Sequence, residues 1–184
     1  MRCLIFLLIF PAIALAAEPQ WEKIENCSLV EDGYRDGDSF LVRIAPKTFR
    51  VFRLYFVDTP EDSADQRYPE RIADQSKYFG VSTTRALQLG DEAATFSSKT
   101  LAKAFTVWTC WQKAPGASSR QRYYARISTP QGDLGELLVA NGLARIYGKR
   151  ITLPGGTSSR DYLDKLRAIE SKAKAEGEGG WSAR

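Results

Sequence analysis

Residues 39–57 read SFLVRIAPKTFRVFRLYFV, and this stretch decides the fold. Both of its ends are rich in β-branched and aromatic residues, which predicts strands at 39–44 and 49–57. The segment APKT at 45–48 has the length and composition of a hairpin loop. A mixed apolar and polar segment at 21–31 predicts one more strand before the hairpin. The N-terminal half is therefore expected to form a three-stranded antiparallel meander.

Beyond residue 69 the pattern becomes helical. It predicts helices at 70–78 and 84–104, with Gly90 able to break the second of them. Strands follow at 105–111 and 123–128, then a short helix at 134–141 and a last helix from Ser159 to about Gly177. Three strands, a helix and two further strands predict an α+β, mainly β fold. We expect a small closed Greek-key barrel with flanking helices.

The N-terminus carries a short apolar run at 3–17 after a positive start. It is too short to span a bilayer, and Ala14-Leu15-Ala16 fits the pattern that signal peptidase reads. We expect a signal peptide at 1–16 and a single domain at 17–184, located in the periplasm or secreted. The alternative is an uncleaved membrane anchor. After cleavage we expect a monomer without stable membrane association.

The composition excludes several kinds of chemistry. The chain has no histidine, which rules out Ser-His-Asp and Cys-His nucleophile systems and histidine-ligated zinc. A general base must then be a carboxylate, a lysine, a tyrosine or a thiolate. The formal net charge of +4 permits a polyanionic partner, but surplus surface lysine would explain it equally well.

Three charged residues near the predicted hairpin could form a site. Arg53 lies in the middle of an apolar strand face, where a guanidinium needs an anion: a phosphate, or an internal partner such as Asp38 or Glu61. Asp38 begins one strand and Asp58 ends its partner, so both lie at the same end of the pair. Two such carboxylates repel each other unless a cation lies between them, and oxygen ligands favour Ca²⁺ or Mg²⁺. The alternative is that both are ordinary turn residues.

Two motifs resemble the active-site core of the thermonuclease (staphylococcal nuclease-like) family. They are DGDSF at 36–40 and FRLYFVDTPE at 52–61. LLVANGLA at 137–144 is similar to a later segment of the same family, and so is the C-terminal part from Glu170 to Trp181. The resemblance covers nearly all of 17–184 in the right order. It implies a five-stranded OB-fold barrel and a secreted, calcium-dependent nuclease that acts on DNA, RNA or both.

The resemblance also implies roles for individual residues. The carboxylates of Asp38 and Asp58 and the backbone carbonyl of Thr59 would hold one Ca²⁺ ion. Arg53 would bind phosphate, and Glu61 would activate the attacking water.

Two further roles depend on alignment. Counting back from the Gly-Leu-Ala segment places Arg122 as the second catalytic arginine, with Arg120 as the alternative. The family's aromatic pair near the nucleotide base is not clearly matched in this sequence. Only Tyr147 lies close to that position, and we expect Tyr147 and Arg120 to bind the substrate. Tyr147 is followed by Gly148-Lys149-Arg150, which reads as a phosphate-binding tripeptide or as a solvated loop. The segment at 61–79 is longer than the family's usual loop.

Cys27 and Cys110 lie on strands that should be neighbours in such a barrel. We therefore expect a disulfide between them, the alternative being two separate thiols.

The same residues leave other functions open. The main alternative to a nuclease is a non-catalytic OB-fold module that binds single-stranded nucleic acid or a protein. A carboxylate-pair glycosidase is less suitable, because the two arginines would have no role in it.

Overall fold

The computed structural model describes residues 19–31, 36–63, 69–116 and 120–182. The predicted signal peptide at 1–16 lies outside this range. Within the described ranges, eight strands and four α-helices follow one another in chain order: β1 Glu22–Leu29, β2 Ser39–Ala45, β3 Thr48–Leu54, β4 Val57–Asp58, α1 Pro69–Phe79, α2 Thr83–Thr100, β5 Phe105–Ala114, β6 Arg122–Thr129, β7 Gly132–Asp133, α3 Leu134–Ala140, β8 Arg145–Ile146 and α4 Ser159–Glu176.

Five of these strands close into a barrel. The main sheet has the order β3-β2-β1-β5-β6-β7, and a parallel pairing of β3 with β6 joins its two sides. In that pairing Val51 lies opposite Arg122 and Arg53 opposite Tyr124. The side chains that alternate inward, among them Val42, Phe52 and Ile127, are fully buried. The predicted α+β, OB-fold barrel is confirmed.

The helices lie close to their predicted bounds, except that α2 ends at Thr100 and not at residue 104. Ser82 caps α2 by accepting a hydrogen bond from the backbone N–H of Arg85. Gly177 ends α4 in the left-handed conformation, with φ of 70°. Gly90 lies within α2 and does not break it, contrary to the expectation. Because it has no side chain, the helix can approach the backbone of Glu61 closely. Among the described residues, none of the helices is long and apolar enough to cross a membrane.

The predicted disulfide is wrong, because Cys27 and Cys110 are both free thiols. The two strands are neighbours, as expected, but the register pairs Cys27 with Phe105. Cys110 lies five residues further along β5, a separation of about 17 Å at the strand rise. A disulfide needs Cα atoms roughly 4.4–6.8 Å apart. The thiol of Cys27 donates instead to the backbone carbonyl of Ile24, at 3.3 Å.

Candidate functional site

One rim of the barrel gathers the charged residues of both motifs. Asp38 precedes β2 and Arg53 lies near the end of β3, and the register pairs Ser39 with Arg53. One guanidinium nitrogen of Arg53 lies 2.8 Å from Asp38 Oδ2 and 2.6 Å from Asp58 Oδ1. Both carboxylates are only 1% exposed. The two aspartates thus converge on a single point, as the hairpin argument predicted.

A sharp change of direction after β3 brings Asp58 to this point. Phe56 has φ of 68°, a conformation that is costly for a bulky side chain. Its backbone N–H donates to the carbonyl of Lys149, and its own carbonyl accepts from Tyr147. The chain can then pair Asp58 with Arg145 across β4 and β8. The strand predicted to run to residue 57 therefore stops at Leu54, because the turn at Phe56 redirects it.

Asp58 has more partners than the sequence indicated. Its Oδ1 accepts from Arg53 and from Arg71, the latter at 3.0 Å. Its Oδ2 accepts from Arg145 at 2.8 Å and from Gln75 at 3.1 Å. Three guanidinium groups and one amide thus occupy the roughly four acceptor positions of a carboxylate. A buried charge with this many donors is held in one orientation.

The helix α1 supplies two of these donors. Gln75 is completely buried, and its side chain makes two further hydrogen bonds. Its amide nitrogen donates to the carbonyl of Thr59 at 3.1 Å, and its oxygen accepts from the backbone N–H of Glu61 at 3.0 Å. Arg71, one turn earlier on the same face, lies 2.7 Å from the Glu61 carboxylate. The segment 58–61 is therefore clamped by α1 along its whole length.

The helix α2 supports the same segment from below. A side chain at Gly90 would clash with the backbone of Glu61, so the helix can approach only because the residue is glycine. Two turns later Ser97 donates to the carbonyl of Gly37, at 2.8 Å. Both loops of the site thus lie on one face of α2.

Because the site is buried, the pKa values of two of its carboxylic acids are raised. Burial raises the pKa of Asp38 to about 7, although the Arg53 guanidinium opposes this shift. Burial also raises the pKa of Glu61 above its ordinary value, and here Arg71 opposes the shift. Positive charge near these carboxylates therefore favours their ionised forms.

The donor set at this point suits a hard cation. The carboxylates of Asp38 and Asp58 converge within reach of one atom, and the carbonyl of Thr59 lies beside them. All three ligands are oxygens, which Ca²⁺ prefers. The hydroxyl of Thr59 is buried without a hydrogen-bond partner among the described residues. The described residues contain no group of three or more acidic or thiol side chains placed to hold a metal, so waters or substrate would have to complete the coordination.

A cavity of about 640 Å³ opens beside Asp58. The residues that line it include Arg53 and Asp58, and also Arg122 and Tyr147. Arg122 donates to the carbonyl of Pro115 at 2.6 Å, which leaves its guanidinium at the cavity wall. Tyr147 is 60% exposed, and the Arg145 guanidinium lies 4.4 Å from its ring centre.

The remaining residues predicted for the site line either this cavity or the surface beside it. Lys149 and Arg150 line it with Gly148, so this tripeptide is an exposed loop at the cavity edge. Arg120 lies outside it and lines the adjoining surface. Of the two candidate arginines, Arg122 therefore has the better position.

Three residues of the site were not predicted from the sequence: Arg71, Gln75 and Arg145. The signal for the first two was their spacing of one helical turn on a predicted helix. Nothing in the sequence indicated that this helix folds back onto Asp58. Arg145 directly follows the Gly-Leu-Ala segment and could have been found there.

The chain matches the profile of a sequence family described as staphylococcal nuclease homologue, over residues 51–183. The match includes Arg53, Asp58 and Glu61 but begins after Asp38. None of the curated proteins matches the chain.

Proposed function

The chain belongs to the family of staphylococcal nuclease homologues, and from this premise we propose that it hydrolyses phosphodiester bonds of DNA, RNA or both with the help of one Ca²⁺ ion. One observation carries the proposal. Asp38, Asp58 and Arg53 meet at one point, and Arg71 pairs with both Asp58 and Glu61. A cavity lined by Arg53, Asp58 and Arg71 opens beside this point.

The charge of the cavity suits an anionic substrate. Its wall contains the acids Asp58 and Asp74 and a larger number of basic residues: Arg53, Arg71, Arg122, Arg145, Lys149 and Arg150. A phosphodiester carries one negative charge and gains a second as water attacks it. Guanidinium groups that already face the reacting phosphorus stabilise this extra charge without having to reorganise. We assign this role to Arg53 and Arg122.

Glu61 is the best candidate for the general base. Its side chain is 33% exposed, so water can reach it, and Arg71 pairs with its carboxylate. Gln75 accepts a hydrogen bond from the Glu61 backbone N–H and so fixes the main chain at this residue. Because burial raises the pKa of Glu61, the carboxylate is a stronger base than an ordinary surface glutamate. It would accept a proton from the attacking water.

Asp38, Asp58 and the Thr59 carbonyl would hold the calcium ion. When bound, the ion would neutralise the charge of the phosphate and orient one of its oxygens. Arg53 now binds both aspartates, so its guanidinium would turn from them toward the substrate phosphate. The positive charge of the ion would then compensate the buried negative charge of Asp38, so that its carboxylate would stay ionised.

The location of the enzyme follows from residues 1–16. We propose that they are removed as a signal peptide and that residues 17–184 act as one domain, in the periplasm or outside the cell. An N-terminal sequence of the exported protein that begins before residue 17 would contradict this.

The test compares two glutamates. Purified protein is assayed on single-stranded DNA and RNA with Ca²⁺ and with a chelator. Glu61→Gln should lower kcat by about 10²–10⁴-fold, the usual contribution of a general base, while oligonucleotide affinity changes little. Glu176→Gln removes an exposed carboxylate on α4 and should leave kcat unchanged. Calcium binding is measured separately by calorimetry, where Asp38→Asn should abolish it.

The outcomes separate the proposal from its alternative. Hydrolysis that needs Ca²⁺ and Glu61 supports a nuclease. Tight oligonucleotide binding without cleavage, with or without Ca²⁺, would identify a non-catalytic binding module. The four donors on Asp58 are the observation that favours this second function, because they satisfy the carboxylate without a metal.

A further inference from the structure

Arg145 has hydrogen-bond donors that the site described above does not use. The residue is only 8% exposed, and its Nε donates to Asp58 Oδ2 at 2.8 Å. A guanidinium carries further N–H groups on its two terminal nitrogens. No described residue accepts a hydrogen bond from these terminal nitrogens. Because a nearly buried cation with unused donors is costly, this arrangement indicates a ligand from outside the chain.

The unused donors belong to a group that is held in one orientation. Arg145 lines the active-site cavity, and its guanidinium carbon lies 4.4 Å from the centre of the Tyr147 ring. The carboxylate of Asp58 fixes one edge of the guanidinium, and the ring covers one of its faces. The terminal fork is thus preorganised, so that an anion can bind to it with little further loss of side-chain freedom.

Two more cations line the same cavity close behind Arg145 in the chain. Lys149 and Arg150 are exposed, and neither side chain pairs with a carboxylate among the described residues. Apart from Asp58, the only acid that lines the cavity is Asp74. The cations therefore outnumber this acid, and their charge complements a phosphate group, which carries close to two negative charges when it is a terminal monoester.

These cations lie beside the reaction centre rather than on it. Arg53 approaches Asp58 through Oδ1, whereas Arg145 approaches it through Oδ2. Arg53 and Arg122 are the residues assigned to the reacting phosphate. A phosphate at the fork of Arg145 is then a different one from the phosphate that is cleaved.

We propose that Arg145, Lys149 and Arg150 form a phosphate subsite, the β8 subsite, which binds a substrate phosphate other than the one that is cleaved. Hydrolysis of a phosphodiester leaves a phosphate on one of the two new chain ends. The β8 subsite would recapture such fragments and direct their further shortening. The inference rests on the proposed function, because the substrate reaches the subsite through the active-site cavity. It adds a substrate class, phosphate-ended oligonucleotides, and the residues that recognise it.

The subsite is tested by binding without cleavage. Calorimetry in the presence of a chelator compares deoxythymidine oligonucleotides that differ by one phosphate. TpT has a single phosphate, pTpT and TpTp carry an extra one at the 5′ or the 3′ end, and TpTpT has a second internal one. The extra phosphate should tighten binding by at least about 10-fold, as expected for hydrogen bonds between charged groups. A gain for pTpT or TpTp alone identifies a chain end as the ligand, and a gain for TpTpT as well identifies any second phosphate.

The guanidinium is tested with a matched pair of variants. Arg145→Gln removes the fork, while Asp58 keeps Arg53 and Arg71 as partners. The gain from the extra phosphate should fall below about threefold, whereas the affinity for TpT should change less. Arg167→Gln removes a guanidinium that is exposed on α4, and it should leave the gain unchanged.

A second variant keeps the test decisive if circular dichroism shows that Arg145→Gln is misfolded. Lys149 and Arg150 are exposed, so their joint replacement by glutamine should leave the fold intact and reduce the gain by at least about threefold.

The outcomes separate the subsite from the proposed function. Equal affinity of the wild type for TpT and for all three longer ligands would overturn the subsite, even if hydrolysis is observed. An undiminished gain in folded Arg145→Gln, or in the double variant, would do the same. A gain that depends on Arg145, without hydrolysis of any substrate, would overturn the proposed function and leave the subsite standing.

Discussion

Gln75 provides the sharpest test of how the candidate site is built. Its buried side chain binds three parts of the segment 58–61: the Asp58 carboxylate, the Thr59 carbonyl and the Glu61 backbone N–H. Gln75→Met has nearly the same length and helix propensity but can form none of these hydrogen bonds. The variant therefore isolates their contribution to the free energy of unfolding.

The expected magnitude follows from the partners that remain. The Thr59 carbonyl and the Glu61 N–H lose the side-chain partner that the structure gives them, and each buried polar group left alone costs about 1–3 kcal/mol. Asp58 keeps Arg145 on the same oxygen, so its loss is smaller. We expect Gln75→Met to lower the free energy of unfolding by about 3–5 kcal/mol.

The assay is urea unfolding followed by circular dichroism. Gln88→Met is the control, because Gln88 is exposed on α2 and the chemical change is the same. It should alter stability by less than about 0.5 kcal/mol. The slope of free energy against urea should not change, since the same surface is exposed on unfolding. If the two variants differ by less than about 1 kcal/mol, Gln75 does not clamp the segment, and the account of how Glu61 is positioned is wrong.

Three further predictions concern the surroundings of the site. Alanine in a helix interior is ordinarily favoured over glycine by about 1 kcal/mol. Gly90→Ala should nevertheless destabilise the protein, because the new methyl group would push against the Glu61 backbone. Thermal unfolding gives the sign of the change, and a stabilised variant would contradict the close contact. Arg71→Gln should lower kcat/KM for a short oligonucleotide by about 10-fold or more, because the Asp58 and Glu61 carboxylates lose the guanidinium that pairs with both and positions them. Arg160→Gln on α4 should have no effect, and equal rates in the two variants would remove Arg71 from the site. Residues 17–184, unfolded without reductant and treated with a thiol reagent, should take up two labels, on Cys27 and Cys110; no uptake would mean that a disulfide had formed after all.

Local pattern accounts for most of the barrel. The strands at 39–44 and 105–111 were predicted within a few residues, because alternating apolar side chains specify a half-buried strand without reference to distant parts of the chain. The convergence of Asp38 and Asp58 was predicted for a related reason. A short hairpin loop brings the outer ends of its two strands together.

The errors share a cause that is equally physical. The disulfide was predicted from strand adjacency alone, but the register of β1 against β5 also depends on a bulge in β1 between Ile24 and Cys27. Gly90 was read as a helix breaker from its intrinsic propensity. Its contact with the Glu61 backbone outweighs that propensity.

Taken by itself, the sequence determined the strand order of the meander, the absence of histidine chemistry and the meeting of two carboxylates with an arginine at one rim. Each of these depends on composition or on residues close together in the chain. Only the tertiary structure decided which other groups reach Asp58. Gln75 and Arg145 lie 17 and 87 residues away from it, and their contact depends on how α1 and β8 pack against the barrel. Such packing is set by the sum of many side-chain contacts, which no short motif encodes.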